Sequence, residues 1–246
     1  MTAKAKVIEA SWPVPKHVRA FTTTRQGGVS EQPYSGFNLG AHVGDSADFV
    51  AKNRAKLVEQ FSIPNPIVWL NQTHSTSVAV LPNDIPHEAD ASVASSPVQV
   101  CAVLTADCLP VVLTNVPGTR VAVVHAGWRG LCQGVIEETL SQFSQEEQVI
   151  AWLGPAIGPN AFEVGEEVRV AFIQKMQSAE RAFKPSINAG KWFGNLYELA
   201  KQRLNTCGVF DVYGGDHCTF SEEDLFYSYR RDGVTGRMAT LVWMER

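Results

Sequence analysis

The chain has 246 residues, 45% of them apolar and 19% charged, with a formal charge of −4 and an isoelectric point near 5.9. That balance supports a sizeable core and argues against nucleic acid as a partner, because backbone binders carry a clear basic excess, whereas Lys184 and the Arg230-Arg231 pair form no stripe. No segment approaches the roughly 18 uninterrupted apolar residues of a membrane helix, so no membrane span is expected either.

Residues 1–15 carry lysines but no apolar stretch after them, so they do not read as a secretory signal. Asp45, Ser46 and Asp48 suit the first turn of a helix running to about Phe61, with Val50, Leu57 and Phe61 on one face. Ile63, Pro64, Asn65 and Pro66 then predict a turn. Runs rich in β-branched residues predict strands over 67–70, 77–81, 98–105, 111–114 and 120–125, with Pro117-Gly118 suggesting a hairpin between the last two. Leu131, Val135, Thr139 and Phe143 outline a second helix, 166–176 a third and 195–204 a fourth. Further strands are predicted over 149–153, 209–213 and 238–243. Hairpins interleaved with helices predict an α/β fold, a mixed sheet covered by helices, in one domain spanning 1–246. Nothing in the pattern sets an oligomeric state.

The five cysteines, at 101, 108, 132, 207 and 218, are odd in number, irregularly spaced and without a CxxC pair. Reduced thiols in the cytoplasm are expected, not a disulfide framework or a four-cysteine zinc site.

Three short stretches place a reactive residue at the end of an apolar strand: Asn71-Gln72-Thr73-His74, Thr105-Ala106-Asp107-Cys108 and His125-Ala126-Gly127-Trp128-Arg129-Gly130. Loops at strand ends are where a rigid sheet presents functional side chains. Two imidazoles and one thiolate make a catalytic zinc pattern with a fourth position open for water or substrate. Taken singly, each residue has a plainer reading: an inert core cysteine, or a hydrogen-bonded loop histidine. Asp107 interrupts an apolar run and needs a partner. It could orient a ligand histidine or cap a turn. Gly127 and Gly130 could present backbone N–H groups to an anion beside Arg129, or simply allow a tight turn. Thr22 to Gly28, with Arg25, forms a second candidate anion loop, without a P-loop or dinucleotide spacing. Phe226-Tyr227-Ser228-Tyr229-Arg230 could offer a stacking ring and an anion contact, or core aromatics and solvated charges.

The segments TTTRQGGVS, FNLGAHVGD, WLNQTHS, TADCLPVVL, VHAGWRGL, WLGPAIGP and FYSYRRDGVTGR, in order from about Phe21 to Trp243, closely resemble the YfiH-type laccase-domain family. The resemblance implies a single-domain layered α/β sandwich, related at fold level to cysteine-hydrolase toxins. It places metal ligands on His74, Cys108 and His125, with zinc the implied ion and copper an alternative. It also implies purine nucleoside chemistry: phosphorolysis of adenosine, inosine, guanosine and methylthioadenosine, and adenosine deamination. Under that implication Cys108, Asp107 and His125 are the candidate catalytic residues. Arg25, Gln72, Arg129 and Arg230 are the candidate contacts to nucleoside and phosphate. Two other activities attach to the family, editing of peptidoglycan precursors by a cysteine amidase and copper-dependent polyphenol oxidation. Six histidines in all are too few for the roughly ten His/Cys ligands of a multicopper oxidase.

Overall fold

The computed structural model describes residues 4–64, 66–83 and 88–246. In chain order the elements are β1 (Val7–Glu9), β2 (Val18–Thr23), α1 (Ala47–Phe61), β3 (Ile67–Trp69), β4 (Val78–Leu81), β5 (Ala91–Ala94), β6 (Val100–Thr105), β7 (Leu109–Asn115) and β8 (Val121–Ala126). There follow α2 (Trp128–Gln133), α3 (Val135–Leu140), β9 (Val149–Leu153), β10 (Glu163–Gly165), α4 (Glu166–Lys175), β11 (Phe183–Pro185), β12 (Lys191–Gly194), α5 (Leu196–Thr206), β13 (Val212–Gly214), α6 (Tyr229–Asp232) and β14 (Met238–Met244).

The strands form two large sheets rather than one. The first has the order β1-β2-β14-β6-β3, the second β13-β9-β7-β8-β5-β4, and β10, β12 and β11 make a small third sheet. Both large sheets are mixed: β3 runs parallel to β6, β4 to β5 and β13 to β9, while the other pairs are antiparallel. The side-chain period of two sorts each strand between two cores. In β7, Leu109, Val111 and Leu113 face the α2–α5 helices, while Val112 faces the other sheet. In β6, Cys101 and Val103 face the sheet interface, and Val100, Ala102 and Leu104 pack toward Leu57 of α1. The result is four layers, helix on sheet on sheet on helix, which explains why the central strands are buried along their whole length.

The predicted second helix is split in two. Gly134 takes φ +108°, caps α2 through its N–H to Gly130 O and starts α3. That left-handed value is open to glycine and breaks the helical ladder. Leu131, Val135, Thr139 and Phe143 are nonetheless all buried on one side. Strands β1, β2, β5, β10, β11 and β12 are additions to the predicted set. Asn65, inside the predicted 63–66 turn, lies outside the described residues. Among the described residues no helix is long and apolar enough to cross a membrane, and the five cysteines are free thiols.

Candidate metal centre

The three reactive residues converge where the two sheets meet. His74 follows β3 of the first sheet, Cys108 lies on the crossing from β6 in the first sheet to β7 in the second, and His125 lies near the end of β8. His125 shares the parity of Val121 and Val123, whose side chains fill the inter-sheet core. Their donor atoms all lie within 4.8 Å of one another, with Cys108 Sγ 3.9 Å from His74 Nε2. Nitrogen–metal distances near 2.0–2.1 Å and a sulfur–metal distance near 2.3 Å place tetrahedral donors about 3.3–3.6 Å apart. The set therefore needs only a small contraction to hold an ion, and among the described residues it is the one such His/Cys/Asp/Glu cluster.

The acid that organises this cluster is Asp90, not Asp107. Asp90 precedes β5 directly opposite His125, whose backbone N–H donates to Asp90 O. Both side chains emerge on the same face, as cross-strand neighbours do. His125 Nδ1 donates to Asp90 Oδ1 at 2.7 Å, which leaves Nε2 for the cluster. The same carboxylate accepts from the backbone N–H groups of Thr73, His74 and Ser75 and from the Ser75 hydroxyl. One buried carboxylate thus holds a ligand ring and the backbone of the loop that carries His74. Burial alone would raise its pKa, but His125 and Ser75 hold it down to about 2. Sequence reasoning missed Asp90; the signal was an acid at the entrance to the short apolar run Ala91-Ser92-Val93-Ala94.

Asp107 has a different task. It sits at φ +95°, and His74 at φ +63°, both in the left-handed region that L residues rarely enter. The Asp107 carboxylate accepts from Thr219 Oγ1 at 2.6 Å and from the Arg230 backbone N–H at 2.7 Å. Each of its oxygens thus takes a hydrogen bond from a distant part of the chain, so it fixes the turn that presents Cys108. Glycine is required beside the cluster: a Cβ on Gly127 would stand 2.7 Å from His74 Cδ2 and 3.2 Å from Cys108 Sγ, and one on Gly130 2.9 Å from Ser75 O. The glycines of the HAGWRG segment therefore serve close packing of the His74 loop.

The cluster forms one wall of a cleft of about 520 Å³ that also takes in Gln72, Arg129 and Tyr229, together with His42 and Arg237, neither of which was picked out from the sequence. Gln72 is anchored, its side chain exchanging two hydrogen bonds with the Leu104 backbone. Arg129 lies exposed over the Trp128 ring. On the other side of Cys108 a smaller apolar cavity of about 120 Å³ is lined by Trp128, Ile157, Phe162, Leu196, Tyr229 and Arg230. Arg230 itself reaches Glu163 O and lies over the Phe162 ring. Of the FYSYRR aromatics, Phe226 and Tyr227 are fully buried, whereas Tyr229 is 62% exposed and borders both cavities. Arg25 does not reach the centre. It stacks on Tyr227, donates to Glu223 O and lines a separate surface cleft with Gln26, Asp224 and Arg231. Thr22 and Thr23 of its predicted loop belong to β2 and bond to β14.

A model of the multi-copper polyphenol oxidoreductase laccase family matches residues 19–245. The chain belongs to that family. Within it, the chain is 53% identical to a Haemophilus influenzae protein named purine nucleoside phosphorylase, over 98% of this chain and 100% of that one. It is 50% identical to purine nucleoside phosphorylase YfiH of Escherichia coli, over 98% and 99% of the two chains. The crystal structure of a Neisseria meningitidis protein superposes with a TM-score of 0.91 at 46% identity, covering 98% of this chain and 99% of that one. The family's description speaks of several coppers, whereas the described residues of this laccase-domain protein bring together one three-donor cluster.

Burial opposes charge on both Cys108 and His125, yet each supplies the other's counter-charge: the thiol is pulled down to about 6 and the imidazole raised to about 9. In metal-free protein, alkylation of Cys108 by iodoacetamide should therefore rise through about pH 6 and be near its plateau at neutrality. Cys132, pushed up by burial, should need alkaline pH. Peptide mapping reads both, and added zinc should protect Cys108.

Proposed function

We propose that this protein is a metal-dependent purine nucleoside phosphorylase, acting on adenosine, inosine, guanosine and methylthioadenosine, with residues 1–246 working as one domain. The observation that carries this reading is the convergence of His74, Cys108 and His125 between a cleft with arginines and a cavity lined by aromatic rings. The names of the similar proteins support it. His74, Cys108 and His125 would hold the ion, zinc for its fit to a Cys-His₂ set, with copper able to take the same donors. Such an ion supplies Lewis acidity next to the bound substrate.

The chain's own residues divide the remaining work. Tyr229 presents an exposed ring that lines one cavity with Trp128 and Phe162, a set of faces for a planar purine. Base stacking on an aromatic ring contributes roughly 1–3 kcal/mol. Tyr229→Ala is accordingly expected to raise the KM for nucleoside by about tenfold while metal content is unchanged, read by steady-state kinetics and metal analysis. Asp107 borders the cavity beside Cys108, but its two oxygens already accept from Thr219 and from the Arg230 backbone N–H. Adenosine deamination, which needs an acid/base group beside the attacked carbon, would require freeing it from those donors.

The test is incubation of zinc-loaded protein with adenosine and phosphate. Adenine and ribose-1-phosphate are expected, and inosine in addition if deamination accompanies phosphorolysis. No product above a Cys108→Ala control would end the proposal.

A second reading has an observation of its own. Asp90, His125 and Cys108 form a carboxylate–imidazole–thiol chain in which the acid orients the ring and the ring faces the thiol. That is the arrangement of a cysteine amidase, with Cys108 as nucleophile and His125 as its base. Amide release from a peptidoglycan precursor by metal-free protein would establish it.

A further inference from the structure

Arg237 lines the cleft beside the cluster, yet it pairs with no carboxylate among the described residues. Its Nη1 donates to the carbonyls of Thr235 and Gly236, while Nε and Nη2 find no acceptor among the described residues. The charge is half-buried, and a desolvated guanidinium without a counter-ion is costly to keep. The fold nonetheless takes pains to hold it there. The Arg237 N–H donates to Asn38 Oδ1, and Leu39 N–H donates back to Arg237 O, which zips residue 237 to the FNLGAH segment. Gly40 leaves space for the Arg237 stem: a Cβ there would lie 2.7 Å from Arg237 Cγ. Two residues on, His42 enters the same cleft. Burial and the charges of Arg237 and Arg54 all work against protonating His42, so its ring offers one N–H as a neutral donor.

We propose that Arg237, with His42 beside it, is the subsite that holds inorganic phosphate in this cleft. The assignment rests on the phosphorolytic reading above and gives it a direction across the site. Phosphate sits on the Arg237 side, the purine on the Tyr229 and Trp128 side, and the ribose beside Cys108. One oxygen of hydrogen phosphate then forms a bond to C1′ as the C1′–N9 bond breaks. The electron pair of that bond leaves with the purine, and the proton of the phosphate ends on the purine. No electrons are exchanged with any other reactant.

The experiment measures binding of inorganic phosphate to zinc-loaded protein by calorimetry, together with KM values for phosphate and for nucleoside. Charge-assisted hydrogen bonds of this kind predict that Arg237→Gln weakens phosphate roughly ten- to a hundredfold. The KM for nucleoside should move less than about threefold. Arg237→Lys, which keeps the charge but loses the planar fork, should fall between the two. His42→Gln, which removes none of the hydrogen bonds of the zip, gives a second variant with a smaller loss in the same direction. Unchanged zinc stoichiometry certifies that each variant is folded at the site. Phosphate affinity within twofold of wild type in both Arg237 variants overturns the inference, even if nucleosides are turned over. Loss of phosphate binding in Arg237→Gln upholds it, and if wild type then shows no phosphorolysis, it is the proposed function that falls.

Discussion

Asp90→Ala is expected to cost about 3–5 kcal/mol of stability, the range for removing one partner of a buried charged pair. The carboxylate is fully buried and accepts from the His125 ring, three consecutive backbone N–H groups and the Ser75 hydroxyl. Its loss leaves those donors without an acceptor. Against a total of roughly 5–15 kcal/mol for a domain, that is a large share. Denaturant melts of metal-free protein measure it. The same variant should lose metal affinity by roughly ten- to a hundredfold or more, because the His125 ring and the His74 loop both lose their anchor. Competition with a chromophoric chelator reads that loss. Asp90→Asn keeps the volume and one acceptor oxygen and should fall between.

The pH dependence follows from the same group. The folded-state pKa of Asp90 is depressed from 3.8 to about 2. The carboxylate therefore contributes stability that is fully present above about pH 4 and is lost as pH falls through 2. The difference corresponds to about 2 kcal/mol. In Asp90→Asn that part of the acid sensitivity should disappear.

His74→Ala and Cys108→Ala together decide what the thiolate does. If the residues hold an ion, each substitution removes one of three protein donors. Zinc-finger sites release roughly 10–16 kcal/mol for a full ligand set, so one ligand accounts for several kcal/mol. Either variant should then bind metal at least a hundredfold more weakly and lose nucleoside turnover. If Cys108 is instead the nucleophile of an amidase, Cys108→Ala is inactive while His74→Ala keeps amide release. Metal stoichiometry and turnover on the same two variants separate the outcomes.

Much of this site was legible because its reactive residues interrupt apolar strands. His74, Cys108 and His125 stand out locally, and the structure brings all three together. Asp90 did not stand out because β5 is four residues of mostly small side chains, and its importance comes from pairing with β8 more than thirty residues away. Asp107 stood out as a buried acid in need of a partner, with a histidine or a turn as the alternatives. The partners are Thr219 and the Arg230 backbone N–H, more than a hundred residues downstream. Arg25 shares glycine-rich surroundings with anion loops, yet it lies just after β2, where its backbone bonds to Leu225 and Phe37 and its side chain stacks on Tyr227 instead.

The sequence by itself determined the α/β class and most long elements, since apolar periodicity is a local property. It also singled out His74, Cys108 and His125 as reactive residues at strand ends, and the family resemblance made them candidate ligands. The two-sheet stacking is a tertiary fact, because strands buried on both faces carry no mark of which sheet they join. So is the pairing of Arg237 with the Asn38 segment, two parts of the chain about two hundred residues apart. Tertiary contact also decided which acid holds the centre: Asp90 and Asp107 are alike as side chains, and only the donors packed around each tell them apart.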